Sequence, residues 1–149
     1  SRVPLGETSG IDVAGQLWDS FHRQKRKNSM FLSNGSEIGI SMAGNTENGT
    51  FKYFVGGEVN PGTSATNGFI SQDLPMGEYV VCCFEAEDFT DLTTSALGIA
   101  MKYLFGTWLP NKGLSTKPFL IEKYHHAPAE VASMEIWVMP VQQSETKLA

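Results

Sequence analysis

The segment KPFLIEKYHH stands out chemically in this 149-residue chain because it carries a carboxylate inside an apolar run. The run is typical of a β-strand, in which alternate side chains share a face. Leu120, Glu122 and Tyr124 therefore point to one side, and Phe119 and Ile121 to the other. Burial beside apolar groups disfavours the charged form of a carboxylate, and a cationic ligand would reverse that effect.

Alternation in the other strands predicts which side chains accompany Glu122. In the final strand, MEIWVMPV, Ile136 and Val138 are expected beneath helices, as are Phe119 and Ile121 in the preceding strand. The opposite face, free of helices, is then predicted to carry Leu120, Glu122, Tyr124, Trp137, Met139 and Phe54. Aromatic and methionine side chains around one acid are the usual composition of a small-molecule site. A bound cation would pair with Glu122 and gain ~0.5–2 kcal/mol from each aromatic ring that it contacts.

Other interpretations of Glu122 stay open at this stage. The side chain is either a solvated residue on an exposed face or the ion-pair partner of Lys52 or Lys123. As an enzyme, the chain would use Glu122 as a general base and Tyr124 as a proton donor. A third hypothesis is a module that inhibits a larger partner through surface contacts.

Metal and cofactor sites are not expected. His125 and His126 are adjacent, so in an extended segment they face opposite ways, and no cysteine or acid joins them at ligand spacing. The two cysteines, Cys82 and Cys83, are also neighbours, and a disulfide between them would be strained. Two unpaired thiols are typical of a reducing cytoplasm.

Periodicity predicts an α+β fold. Helical spacing marks residues 9–28 and 87–109, with Leu92, Ala96, Ile99, Tyr103, Leu104 and Trp108 as the buried stripe of the second helix. Strands are predicted at EIGISM, FKYFVGGEV, residues 78–85, FLIEKYHH and MEIWVMPV, with a first strand entering at RVPL. This order predicts duplicated βαββ halves that form one antiparallel sheet, with two helices on one face and a ligand cleft on the concave face.

Composition limits the partners and the compartment. A hydrophobic content of 41% and a length of 149 residues fit one packed domain over residues 1–142, followed by a disordered tail at 143–149. The formal net charge of −5 argues against direct binding to nucleic acid, which favours a basic face. No apolar run approaches the ~20 residues of a membrane helix. We therefore expect a cytoplasmic protein with no membrane partner.

A family resemblance extends along nearly the whole chain, from about Val3 to Gln142. The chain contains, in this order, LWDSF, FKYFVGGEV, LPMGEYVVCCFEA, LFGTWLP, PFLIEKY and MEIWVMPVQ. Their order and spacing resemble the GyrI-like, or AraC-type, effector-binding domain. The resemblance implies a duplicated βαββ fold that holds ligands on its sheet.

The resemblance also implies a ligand class and a role for Glu122. Related regulator domains bind lipophilic cations through an acid in the penultimate strand, in a pattern like Glu-x-Tyr that Glu122 and Tyr124 match. No helix-turn-helix precedes the first helix, so the chain resembles free-standing members, some of which are carried on integron gene cassettes. Its expected partner is a lipophilic cationic small molecule, with a homodimer or a DNA-binding protein in trans as further partners. Other members resemble hydrolases, and one is a gyrase inhibitor.

Overall fold

The computed structural model describes residues 2–4, 13–27, 30–31, 35–43, 50–64, 69–125 and 132–142. Two helices are present in these ranges: α1 spans Val13–Lys25, and α2 is continuous over residues 89–111 with α-helical and π-helical turns. The strands are β1 Arg2–Pro4, β2 Glu37–Ala43, β3 Thr50–Gly57, β4 Val80–Ala86, β5 Leu114–Thr116, β6 Phe119–Tyr124, β7 Ala132–Val138 and β8 Pro140–Gln142. The expected tail lies outside the described residues.

The sheet confirms the predicted duplication. Six strands pair in the order β1-β3-β2-β6-β7-β4, and every pairing is antiparallel. The first half runs β1-α1-β2-β3, and the second runs β4-α2-β6-β7, so each half is a βαββ unit and the two meet where β2 pairs with β6. Strands β5 and β8 form a separate two-stranded ribbon. The α+β prediction, including a first strand at RVPL, is confirmed.

Both helices lie on the same face of the sheet. The Trp18 ring of α1 lies 5.3 Å from the Tyr124 ring, measured between centroids. Tyr124 is directly opposite Met134 in the β6–β7 pairing, so these two side chains share a face. Met134 is fully buried in the cluster that contains Leu104 of α2. We call this side of the sheet the helix face and the other side the helix-free face.

The buried stripe of α2 differs from the predicted one. Ile99 and Tyr103 are 70% and 53% exposed, whereas the residues buried beneath the helix are Leu92, Ala100, Leu104 and Leu109. The cause lies in the π-helical segment at 92–96, which precedes both residues and in which backbone hydrogen bonds span five residues. The extra residue in this wide turn rotates the following side chains about the axis. A constant 3.6-residue period therefore predicted the wrong face for Ile99 and Tyr103.

Local signals set where α2 begins and ends. The Asp88 side chain caps the helix by accepting a hydrogen bond of 2.8 Å from the Asp91 backbone N–H. Gly113, with φ +67°, lies just beyond the last turn, where the left-handed conformation favours glycine. In the part of the chain that the structure describes, neither helix is long and apolar enough to cross a membrane.

Candidate functional site

The register of β6 against its neighbours places Glu122 on the helix face. Glu122 is directly opposite Gly39 of β2 and Ile136 of β7. Ile136 is fully buried in the cluster beneath α2, as predicted, and Glu122 shares its face. The prediction that Glu122 lies on the helix-free face with Trp137 is therefore wrong. Trp137 is opposite Ile121, and both project from the other side.

The error came from treating β6 and β7 as if their faces could be assigned separately. Ile121 and Ile136 are both apolar and both fully buried, but they lie on opposite faces of the sheet. A strand covered on both sides carries no alternation from which its orientation can be deduced. Leu120 and Tyr124 keep the same parity as Glu122, so these three side chains stay together on the helix face, as their spacing predicted.

A tyrosine from β3 reaches Glu122 across an intervening strand. The Tyr53 hydroxyl donates to Glu122 Oε2 at 3.4 Å and accepts a hydrogen bond of 3.0 Å from Trp18 Nε1. Gly39 lies between them on β2, and a Cβ atom there would stand only 2.5 Å from Tyr53 Oη. The missing side chain therefore provides the space in which the phenol crosses β2. Glycine in a strand commonly marks such a close approach.

Aromatic rings from both helices converge on the second tyrosine of the site. Tyr124 donates its hydroxyl hydrogen to Glu122 Oε2. The Tyr124 ring packs edge-on against Trp18 of α1 at 5.3 Å and lies 5.9 Å from Phe89 of α2. Phe89 is 60% exposed. The carboxylate thus lies on the helix face within a ring of aromatic side chains, which we call the Glu122 site: Trp18, Tyr53, Tyr124 and Phe89.

The electrostatics of the Glu122 site favour the binding of a positive charge, which the described residues do not supply. Desolvation by burial raises the pKa of Glu122, and the hydrogen bonds from Tyr124 and Tyr53 only partly oppose that rise. Burial also raises the pKa of both tyrosines, and the neighbouring Glu122 charge raises it further, so both phenols stay protonated. Among the described residues, Glu122 forms no ion pair.

Lysines near the site are engaged elsewhere. Lys25 Nζ of α1 lies 3.1 Å from Glu37 Oε2, and His22 Nε2 lies 3.0 Å from Glu37 Oε1. Lys123 projects from the helix-free face and pairs with Glu58 at 3.4 Å. Lys52, the other lysine considered as a partner, is exposed on the helix-free face as well. Neither of the predicted lysine partners therefore neutralises Glu122.

The remaining predicted site residues lie elsewhere. Trp137 and Phe54, which project from the helix-free face, line a cavity of about 750 Å³ whose lining also includes Leu17 of α1 and Tyr53 but not Glu122. Met139 is 8% exposed and lies beyond the end of β7, where its Cε atom is close to Gly77. The structure therefore brings together Glu122, Tyr124 and Leu120, separates Trp137 and Phe54 from them, and places Met139 with neither group.

Sequence reasoning missed three residues of the Glu122 site: Tyr53, Gly39 and Phe89. Tyr53 and Glu122 are 69 positions apart, and only the pairing of β2 with both β3 and β6 brings them together. Gly39 offered a usable signal, because a glycine inside an otherwise apolar strand indicates a close approach by another group. Trp18 contacts two members of the site, Tyr53 and Tyr124.

A family model described as Cass2, integron-associated effector binding protein, matches residues 7–141. The match includes both βαββ halves from α1 onward, with β6, which carries Glu122, and the strands β2, β3 and β7 beside it. No curated protein matches the sequence.

Proposed function

The chain belongs to the integron-associated effector-binding proteins, which makes it a small-molecule binding module, and from this premise we propose that its effector is a bulky, apolar cation. One observation supports the cationic class above all: Glu122 is a desolvated carboxylate with two hydroxyl donors, and it forms no ion pair among the described residues. Hydroxyl donors orient a carboxylate without cancelling its charge. A cation that entered the site would cancel the charge of the carboxylate.

The aromatic side chains around Glu122 suit the rest of such a ligand. Trp18, Tyr53 and Tyr124 carry aromatic rings, whose faces attract a positive charge, and Phe89, which is 60% exposed, adds apolar surface on the solvent side. Two unit charges about 4 Å apart attract by about 4 kcal/mol at an effective dielectric constant of 20, before the costs of desolvation. Each cation–π contact adds ~0.5–2 kcal/mol. These terms favour an organic cation over a neutral compound of the same shape.

We propose that the protein acts in the cytoplasm, and its formal net charge of −5 disfavours direct contact with nucleic acid. Cys82 and Cys83 are both free thiols in the structure, which suits a reducing compartment. If the module acts in transcription, a DNA-binding protein supplied in trans carries the contact with DNA.

The test compares a cation with its neutral twin. Trimethyl(naphthylmethyl)ammonium and the analogue with carbon in place of nitrogen are titrated against the protein by isothermal calorimetry. We expect micromolar affinity for the cation and a loss of at least about tenfold, or ~1.4 kcal/mol, in Glu122→Gln. The affinity for the neutral analogue should be unchanged by the substitution.

A matched control removes a different carboxylate. Glu85 is exposed on β4 and shares the helix-free face with Ser133, so Glu85→Gln changes the net charge equally without touching the site. It should leave cation affinity at the wild-type value. Equal affinities for the cation and the neutral analogue would refute the proposal. Turnover of an electrophilic ligand, abolished by Glu122→Gln while binding persists, would instead establish the hydrolase alternative.

A further inference from the structure

The cavity that Trp137 and Phe54 line follows the helix-free face of the sheet, and Leu17 of α1 and Tyr53 also contribute to its lining. One row of directly opposed side chains crosses four strands, from Phe54 through Ile40 and Ile121 to Trp137. These four side chains line the cavity of about 750 Å³, and residues 69–74 of the chain form part of its wall. Small-molecule sites in proteins commonly have volumes of about 300–1,000 Å³ and mostly apolar linings. The volume and the lining both fall within that class.

Trp137 is held in a fixed orientation within this cavity. Its Nε1–H donates to Glu135 Oε1 at 2.8 Å, and Glu135 Oε2 contacts His125 Nε2 at 2.7 Å. The Tyr79 ring packs against the indole at a centroid distance of 5.3 Å. A side chain held in this way loses little rotational freedom when a ligand stacks on it. The cavity therefore has a preorganised aromatic wall.

The charges around the cavity favour an uncharged ligand. Lys123 Nζ lies 5.4 Å from the centroid of the Trp137 ring and 3.4 Å from Glu58 Oε1, so its charge is matched within the lining. Glu135 is engaged by Trp137 and His125. A charged guest stacked on Trp137 would have to separate one of these pairs, whereas a neutral guest leaves them intact; Asp73, the other acidic residue of the lining, is exposed to solvent. This setting contrasts with the Glu122 site, where the carboxylate lacks a positive partner among the described residues.

We propose that the part of this cavity on the helix-free face is a second ligand site, distinct from the Glu122 carboxylate, and that it binds an uncharged planar aromatic molecule stacked on Trp137. The sheet separates Trp137 from Glu122, because Ile121 and Glu122 are adjacent in β6 and project to opposite faces, whereas Tyr53 lines the cavity and also contacts Glu122. One chain thus has two sites with different charge requirements. This site does not depend on the ligand class proposed for Glu122.

Fluorescence titration with 1-aminoanthracene, which is neutral and planar at pH 7, tests the second site. We expect saturable binding that weakens by at least about tenfold in Phe54→Ala and in Trp137→Leu, since each removes an aromatic contact. Glu122→Gln should bind 1-aminoanthracene with wild-type affinity. Circular dichroism of each variant confirms that a loss of binding is not a loss of fold.

Two further variants make the test specific. Glu135→Gln keeps the shape of the side chain but weakens the acceptor for Trp137 Nε1–H, so its affinity should fall between wild type and Trp137→Leu. Val81→Ala alters an exposed residue opposite Trp137 that lies outside the cavity lining, and it should change nothing. Wild-type affinity in both Phe54→Ala and Trp137→Leu would overturn the proposal. So would an equal loss of affinity in Glu122→Gln.

Discussion

Replacing Gly39 with alanine tests whether Tyr53 truly crosses β2 to reach Glu122. The new Cβ atom would lie 2.5 Å from Tyr53 Oη, whereas ordinary contact begins at 3.4 Å. The hydroxyl must therefore retreat by about 0.9 Å. Tyr53 is 7% exposed, and its ring has little room to move. Its hydrogen bond to Glu122, already 3.4 Å long, would break.

The expected cost combines two physical effects. Overpacking of a well-packed interior costs ~1–3 kcal/mol. Weakening of the hydrogen bond of 3.0 Å from Trp18 Nε1 to Tyr53 Oη adds ~0.5–1.5 kcal/mol. We therefore expect Gly39→Ala to lower the free energy of unfolding by about 2–4 kcal/mol.

Urea unfolding, followed by far-UV circular dichroism, measures this change. Gly98 supplies the matched control, because a Cβ atom there meets nothing within 4 Å and the residue lies in the α-helical part of α2. Gly98→Ala should raise stability by about 0.5–1 kcal/mol, since alanine loses less backbone entropy in a helix. A Gly39→Ala protein within about 0.5 kcal/mol of wild type would refute the crossing geometry.

Three further predictions follow from other contacts. Glu122→Gln should raise the free energy of unfolding at neutral pH. The reason is that each unit by which burial raises the folded-state pKa of Glu122 costs about 1.4 kcal/mol once the carboxyl group is ionised. Urea titrations should show that this gain shrinks as the pH falls below the raised pKa. Glu37→Gln should lower the free energy of unfolding. His22 and Lys25 outweigh the effect of burial and lower the pKa of Glu37, so the substitution should cost ~1 kcal/mol of stability at pH 7. It should cost nothing at a pH low enough to protonate the wild-type carboxyl group. Leu104→Ala should cost about 2–5 kcal/mol while Ile99→Ala stays within about 0.5, and similar losses at both positions would contradict the π-helical shift of the buried stripe.

Two of these predictions share a diagnostic contrast. Glu122 and Glu37 both project from the helix face, on the neighbouring strands β6 and β2. The pKa of Glu122 is raised by burial, so its ionisation opposes folding as pH rises. The pKa of Glu37 is lowered, so its ionisation favours folding above the ordinary carboxyl range. Stability–pH profiles of the two glutamine variants should therefore deviate from wild type in opposite directions at neutral pH.

The fold could be predicted from the sequence because the features that mark its helices and strands are local. Apolar spacing marked α1, alternation and turn residues marked β2, β3, β6 and β7, and the repeated order of elements predicted the paired βαββ halves. The association of Leu120, Glu122 and Tyr124 was also accessible, since side chains two apart in a strand share a face whatever the strand pairs with. These inferences require only the geometry of one segment.

Tertiary structure decided which face each strand presents and which distant residues meet. Ile121 and Ile136 are equally apolar and equally buried, so only the β6–β7 register shows that Glu122 belongs with Ile136 and Trp137 belongs with the opposite cavity. The π-helical turn at residues 92–96 of α2, which packs over β4 and β7, likewise shifts a stripe that an ideal period misplaces. Segment periodicity carries no information about the relative phase of two elements, because that phase is set by hydrogen bonds and contacts between residues far apart in the chain.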